Sequence, residues 1–468
     1  MRPLVTADEM RAADAEAMRL VSHDTLVERA GLAVTIAATR LLPRVYGSSI
    51  AVLCGPGSNG ADGRVAARLL ASRGASVRVL DARAAPAAVV GVDLVIDAAF
   101  GTGLSRAWDA PSVPDAVPVL AVDVPSGVDP DTGVASGHAL RATRTVAMGA
   151  LKRGHVLADG AVLSGEVEVA SLGIEVRDPE VVVVEDADVD VVAPLGRDEH
   201  KWRRALVVVA GSPGILGAPS LVSEGAIAVQ AGMVVLCIPD VPPRQDGPWP
   251  VEVVRPAVHV TDLTKVAGGA LDRARALVVG PGLGRSSTLA AAVHELLATT
   301  RVPVVLDADA LHLVDVELLL ARQTRGGSPV VLTPHDGEFT ALFGSAPGTN
   351  RIAAAQRAAE QTGCTLLLKG PTTVVATPTS TPGVPGTLVV TSGTPALATP
   401  GSGDVLSGVI GGLLARGLSA HLAAAIGAHV HGRAGASLGA RCRASMLPDA
   451  VATALAAREA KRSAPRAR

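Results

Sequence analysis

A glycine-rich turn leads into an apolar stretch at Thr399-Pro400-Gly401-Ser402-Gly403-Asp404-Val405-Leu406-Ser407-Gly408. Successive backbone N–H groups at the start of a helix make a hole for an anion and suit a phosphoryl group in transit. Asp404, directly behind them, is placed to take the proton of an attacking hydroxyl. The plainer reading is an acidic residue complementing a helix N-terminus. Other segments add polar groups. Lys369-Gly370-Pro371-Thr372-Thr373 follows an apolar run, where a lysine with hydroxyls behind it suits a nucleotide phosphate or is simply a surface lysine at a turn. Gly280-Pro281-Gly282-Leu283-Gly284 allows close backbone approach. Thr333-Pro334-His335-Asp336-Gly337-Glu338 sets His335 behind another run, while Asp307 and Asp309 either orient neighbours or cap the next helix.

The N-terminal half carries a different set. Gly55, Gly57 and Gly60 fall at GxGxxG spacing, and Asp81 follows about twenty residues later, a dinucleotide-binding fingerprint. An ordinary tight strand–helix turn fits that pattern as well. Asn59 and Asp62 exceed what such a turn needs. Asp97 precedes Ala98-Ala99-Phe100-Gly101-Thr102-Gly103-Leu104, and Asp123 precedes Pro125-Ser126-Gly127. Asn59, Asp97 and Ser126 can offer three oxygens to one hard cation, which leaves Asp123 free for acid–base work. Each aspartate alone is as readily a cap or turn residue.

The elements that must position these groups are legible as periodic runs. Thr6 and Glu9 have capping-box spacing, so a helix is predicted from Ala7, and a second over 26–42. Continuous apolar runs at 50–54, 77–80, 94–96, 119–122 and 145–148 read as strands buried on both faces of a parallel sheet. An acidic, Val-rich stretch over 178–198 marks a domain boundary. A second series runs through 206–210, 234–238, 277–279, 304–306, 330–332 and 365–368, then helices over 404–416, 421–438 and 448–461. The expectation is two α/β domains in tandem, 1–190 and 197–462, with a disordered tail from Ser463.

Bulk properties bound the rest. The 468 residues exceed what one core can bury, 48% are apolar and only 1% aromatic, so Ala, Val and Leu must pack the interior. A net charge of −2 without a basic, aromatic-laced run argues against nucleic acid as a partner. Cys54, Cys237, Cys364 and Cys442 form no CxxC pair, which suits free thiols in a reducing compartment. With no apolar signal core or membrane-length run, a cytoplasmic location is expected.

Beyond these readings, residues 54–63, 94–104, 120–133 and Gly149-Ala150-Leu151-Lys152-Arg153-Gly154-His155 resemble the NAD(P)H-hydrate epimerase family, a Rossmann-like fold. The resemblance implies potassium at Asn59, Asp97 and Ser126. It implies a hydrate site lined by Ser58, Asn59, Gly60, Ala61, Asp62, Gly101, Thr102, Gly103, Leu104, Ser105, Arg106, Ala107 and Asp123. Asp123 would be the general acid/base interconverting the R and S hydrates at nicotinamide C6, directly or through water. The family loop has Asn and Gly where this chain has Ser58 and Ala61. Lys152 belongs to the family motif but reads more simply as an exposed lysine and is given no role.

The second half resembles the ribokinase-like family, in its ADP-dependent NAD(P)H-hydrate dehydratase branch, over 209–220, 280–284, 306–311, 332–338, 369–374 and 394–408. By position, Ala218, Gly284, His335 and Asp404 would contact the hydrate, and Lys369, Gly370, Pro371, Thr372, Thr373 and Gly403 the adenine nucleotide. Departures are Trp202 after Lys201 and Thr394 in place of Asn. The implied activity epimerises hydrated NADH and NADPH (NADHX and NADPHX) and dehydrates the S form with ADP, giving AMP and phosphate. Magnesium is expected on charge grounds, and a homo-oligomer of four or more copies by resemblance. The main rival is a small-molecule kinase with a non-catalytic N-terminal nucleotide-binding domain; a nucleotide-binding regulatory protein and an NAD-dependent dehydrogenase explain fewer of the motifs.

Overall fold

The structure, a computed structural model, describes residues 1–102, 108–243, 246–379 and 386–463. The chain divides into two compact units, residues 2–181 and 182–468.

In the first unit β1 (Arg2–Val5), α1 (Ala7–Ala17), α2 (His23–Leu41), β2 (Ser49–Cys54), α3 (Ser58–Ala71) and β3 (Ser76–Asp81) lead into β4 (Leu94–Ala98) and β5 (Val119–Val122). Then come β6 (Arg144–Met148), β7 (Leu151–Lys152), α4 (Gly160–Leu163) and β8 (Glu166–Ala170). Thr6 caps α1 through the expected capping box with Glu9. The sheet order is β3-β2-β4-β5-β6-β8, with every pairing parallel. Both faces are covered. Ile50, Val52 and Ile96 pack with Val34 of α2 and Leu70 of α3, while Ala51, Leu53 and Val95 meet Val89 and Leu140 on the opposite side. That two-sided burial is why the central strands read as unbroken apolar runs. The order reverses between β2 and β4, and a crevice opens beyond the strand ends at such a switch point.

After β9 (Val181–Val183), at the division, the second unit builds β10 (Ala205–Val209), α5 (Gly217–Ala228), β11 (Met233–Cys237), α6 (Leu263–Leu271), β12 (Ala276–Val279), α7 (Ser287–Thr299) and β13 (Val304–Leu306). It continues with α8 (Val316–Thr324), β14 (Val330–Leu332), α9 (Asp336–Phe343), α10 (Arg351–Thr362), β15 (Thr365–Leu368), β16 (Thr373–Ala376) and β17 (Thr387–Val390). The helices α11 (Ser402–Ala415), α12 (Ala420–Leu438) and α13 (Leu447–Ser463) complete it. The strands lie in the order β11-β10-β12-β13-β14-β15-β16-β17. They run parallel as far as β15, and the last two pairings are antiparallel. Leu206, Val208, Val278, Val305, Val331 and Leu367 join Val222, Val409, Ile410 and Ile426 in one aliphatic core. This is the tandem parallel α/β class that the apolar runs predict.

Three local expectations change. Residues 58–62 open α3 instead of forming a loop, because Gly57 takes an extended N-cap conformation and leaves the first helical N–H groups without a side-chain cap. α11 begins at Ser402, two residues before Asp404, behind Gly401 in the left-handed region at φ 88°. The expected disorder from Ser463 falls on residues 464–468, outside the described residues, and α13 runs through Ser463.

Candidate functional sites

In the first unit the β2–α3 turn needs its glycines for space. A Cβ on Gly55 would sit 1.7 Å from the Ala99 carbonyl oxygen, and one on Gly60 would sit 1.9 Å from that of Gly55. The close approach seats α3 against the ends of β2 and β4, above a cavity of about 570 Å³. Ser58, Asn59, Asp62, Gly101, Thr102 and Asp123 line it, together with Met148 and Lys152. Gly60 and Ala61 lie in the first turn of α3 without lining the cavity. Gly103, Leu104, Ser105, Arg106 and Ala107 lie outside the described residues.

Asp123 stands just beyond β5 at φ 66°, a left-handed conformation that costs an L residue about 1–3 kcal/mol. Its surroundings hold it there. Its N–H donates to Val146 O at 2.8 Å, and its carbonyl accepts from His155 Nε2 at 2.6 Å. Since Nδ1 of His155 accepts the Lys152 N–H at 3.0 Å, the ring is neutral with its proton on Nε2. Burial, then the Lys152 ammonium, pushes His155 down to about 4. The Asp123 carboxylate accepts from Met148 N at 3.0 Å and is ion-paired with Lys152 Nζ, which also donates to Met148 O at 2.6 Å. Lys152 is therefore fully buried beside the cavity, not the exposed lysine the sequence suggested. The clue was in its neighbours: an ammonium between Leu151 and the Gly154-His155 turn needs an acid partner, and Asp123 supplies it. Across the cavity, burial and then the Asp123 charge push Asp62 up to about 8.

Asp97 and Ser126 are brought together. Ser126 Oγ donates to Asp97 Oδ1 at 2.6 Å, and its N–H donates to Oδ2 at 2.9 Å. Asn59 Nδ2 donates to Val122 O at 2.7 Å, so its Oδ1 is the atom left to face Gly101. Asp97 is wholly buried, burial raises its carboxyl above the usual range, and no cation pairs with it among the described residues. A buried carboxylate with the Asn59 and Ser126 side-chain oxygens in the same site, and no counter-charge among the described residues, fits a hard cation.

In the second unit Asp307 settles the choice its sequence left open. It ends β13 without capping the turn that follows. Its Oδ1 accepts from Lys369 Nζ at 2.7 Å and Thr333 Oγ1 at 2.8 Å, and its Oδ2 accepts from Ser407 Oγ at 2.5 Å. Burial works against the Lys369 ammonium, but Asp307, with Glu338 and Asp404, outweighs it and holds that group above its ordinary value. A Cβ on Gly403 would lie 3.4 Å from Lys369 Nζ, so the open start of α11 faces a cation. Asp404 is pushed up to about 7 by burial first and the Asp307 charge second. Asp309 accepts from Gly284 N at 2.9 Å and Arg285 Nε at 2.7 Å, fixing the 280–284 turn.

A cavity of about 850 Å³ gathers His335, Lys369, Gly370, Pro371, Thr373 and Gly403. Thr372 is buried and does not line it. Ala218, Gly284 and Asp404 do not line it; Ala218 lies beside the Gly282 turn, where a Cβ would come within 3.2 Å of its methyl. His335 caps α9, its Nδ1 accepting from Gly337 N at 3.0 Å and Glu338 N at 3.3 Å, and the ring remains largely exposed. His431 was missed. It lines the cavity, its buried Nε2 has no partner, and burial pushes it down to about 4. The departures have local accounts: Thr394 caps a short turn through Ala396 N at 3.2 Å, and Trp202 stacks under Arg273 at 3.8 Å. No group of three or more His, Cys, Asp or Glu suited to a metal occurs among the described residues.

Comparison with known proteins finds two family models along the chain. A family model described as NAD(P)H-hydrate dehydratase matches residues 206–457, and one described as YjeF-related protein N-terminus matches 23–88 and 81–154. A bifunctional NAD(P)H-hydrate repair enzyme of Moorella thermoacetica is 34% identical, over 89% of this chain and 88% of its own. One from Mycobacterium tuberculosis is 35% identical, over 89% and 90%. The solved structure of an ADP/ATP-dependent NAD(P)H-hydrate dehydratase from Bacillus subtilis is 25% identical, over 58% of this chain and 97% of its own, with a TM-score of 0.48. The chain belongs to the family of bifunctional NAD(P)H-hydrate repair enzymes.

Proposed function

We propose that this chain returns hydrated NADH and NADPH to the usable coenzymes in two steps. Residues 1–190 interconvert the R and S hydrates, and residues 197–462 dehydrate the S form at the expense of ADP. The observation that carries the reading is the setting of Asp404. Its half-buried carboxyl, held at about 7, sits in an uncapped glycine-rich helix start that faces Lys369.

Hydroxide is a poor leaving group, so the hydrate does not readily lose water. Asp404 takes the proton of the C6 hydroxyl as that oxygen attacks the β-phosphorus of ADP, and AMP leaves. The N–H groups at the start of α11 and the Lys369 ammonium hold the charge on the transferred phosphoryl group. The ring-nitrogen lone pair then expels phosphate, and loss of a ring proton restores the dihydropyridine. The nucleotide occupies the cavity of Lys369, Gly370, Pro371, Thr373 and Gly403, with Thr372 adjacent in the chain, and the hydrate lies toward Ala218, Gly284 and His335. With no three-ligand cluster among the described residues, magnesium is to be held chiefly by nucleotide phosphates and water, where it neutralises their charge.

In the first unit the hydrate enters the 570 Å³ cavity between Asp62 and Asp123. Asn59, Asp97 and Ser126 hold potassium, which supplies the counter-charge that buried Asp97 lacks. A cytoplasmic setting suits the four free cysteines, and no described helix is long and apolar enough to cross a membrane. A homo-oligomer of four or more copies belongs to the same reading.

The test is a mixed R,S-NADHX sample with ADP and magnesium, followed at 340 nm to completion. The intact chain is expected to convert all of it. Asp123→Ala should convert the S portion alone beyond spontaneous epimerisation, and Asp404→Ala none. Turnover of an unrelated alcohol with the hydrates untouched would favour the kinase reading and end this one.

A further inference from the structure

Two carboxyl groups face the epimerase cavity, and their surroundings are opposite. Asp123 has a buried ammonium and a backbone N–H on its Oδ1. Asp62, in the first turns of α3, is 6% exposed and lines the cavity, and its carboxyl has no hydrogen bond or ion pair with any described residue. A buried carboxylate without a partner is costly, whereas the protonated acid is not. Paired carboxyls whose environments separate them are the usual basis for one acid and one fixed charge in a single site.

We propose that Asp62 is the catalytic residue that gives and retakes the proton in epimerisation, and that Asp123, fixed by Lys152, supplies the negative charge facing the cationic intermediate. The inference rests on the reading of the first unit as an epimerase. The neutral Asp62 carboxyl donates its proton to the C6 hydroxyl. The C6–O bond breaks, its electron pair leaves with the oxygen as water, and the N1 lone pair forms a C6=N1 iminium bond. Water adds to the opposite face of C6, the C=N pair returns to N1, and the Asp62 carboxylate accepts the surplus proton. Atoms and charge balance over the cycle, and no co-reactant is needed.

The groups around Asp62 agree with a proton held there. Asp123 lies across the cavity beyond β5, Lys152 lies beside Asp123 on β7, α1 contributes Arg11 and Asp14, and α2 contributes His23. Lys152 is spent on Asp123 and Met148, Arg11 on Asp8, and His23 contacts Asp24. Asp14 is itself raised by burial, which the nearby Lys152 charge only partly offsets.

The experiment uses the full chain with pure R-NADHX, ADP and magnesium, so that 340 nm absorbance reports epimerisation once the S form is consumed. After the spontaneous rate is subtracted, Asp62→Asn is expected to lower kcat on the R form at least about 100-fold with KM changed less than about threefold, and Asp62→Glu to recover part of it. With enough Asp123→Ala chain added that dehydration never limits the rate, wild-type kcat on the R form should be level at lower pH and fall as pH rises through about 8, because the acid form works first, a limb that Asp62→Asn loses. An Asp62→Asn chain with near wild-type kcat and an unchanged alkaline limb, or with only KM raised, overturns the assignment. If a melting curve shows that variant unfolded, the wild-type profile decides, and a kcat level from about pH 7 to 10 overturns it. A wild-type chain that leaves R-NADHX at its spontaneous rate fails the epimerase reading itself, which is a different result.

Discussion

The two aspartates proposed to carry protons, Asp62 and Asp404, are each raised toward neutral pH by burial first and by another carboxylate second. For Asp404 the consequence is a pH dependence of definite sign. Only its carboxylate form can accept the substrate proton, so dehydration of S-NADHX should rise with pH through about 7 and drop about tenfold per unit below it. Asp404→Asn should flatten that limb and lower kcat by about 100-fold or more. Stability runs the other way. A carboxyl raised above its unfolded value contributes fully below about 4, and that contribution is lost as pH rises through about 7. Asp404→Asn should therefore melt above wild type at alkaline pH, with the gap closing toward pH 4. A variant that is slower and no more stable there would mean that the raised value is not a property of the folded site. Asp307 and Lys152 show what a single residue's type conceals. Each gets its meaning from a partner distant in sequence, Lys369 at 62 residues and Asp123 at 29, and no local pattern announces such pairs.

At the scale of elements, glycines set how closely the site-bearing helix α11 approaches α5. A Cβ on Gly408 would lie 2.0 Å from Val222 O, and one on Gly225 would lie 2.4 Å from Val405 O. Backbone stands where a side chain would go, and backbone yields least. Gly408→Val should cost at least about 1–3 kcal/mol by overpacking and displace the α11 start from Lys369. Chemical denaturation reads the first effect, and the KM for ADP reads the second. A Gly408→Val chain with both unchanged would show the contact to be dispensable. What the sequence reveals of such elements depends on burial. Strands β2, β4, β5 and β10 are covered on both faces and read as unbroken apolar runs. The Glu-Val-Glu-Val alternation of β8 belongs to an edge strand with Glu166 exposed and the rest half-buried, and it passed unnoticed. The β16–β17 pairing was hidden differently: its antiparallel register departs from the strand–helix alternation used to find the others. The α3 start was misplaced because Gly57 caps through conformation and offers no side chain to recognise.

At the scale of the whole chain, the two cavities are lined entirely by residues of their own units, 10–174 for one and 335–432 for the other. The proposed chemistry joins them through one shared molecule, the hydrate. A dehydratase that accepts only the S hydrate strands the R form, and an epimerase alone recovers no coenzyme, so the halves are useful together. If the hydrate passes through solvent, the coupling needs both activities in one solution, though not in one polypeptide. Equal amounts of full-length Asp123→Asn and Asp404→Asn chains, each unable to convert R-NADHX alone beyond its spontaneous epimerisation, should then recover all of it when mixed with ADP and magnesium. The rate should scale with the concentration of whichever variant limits, and added wild-type dehydratase activity should not be required. Complete conversion by wild type with none by the mixture would sink the free-diffusion account and require transfer within one assembly. Recovery that appears only after prolonged incubation at high protein would instead trace the coupling to exchange of subunits between oligomers.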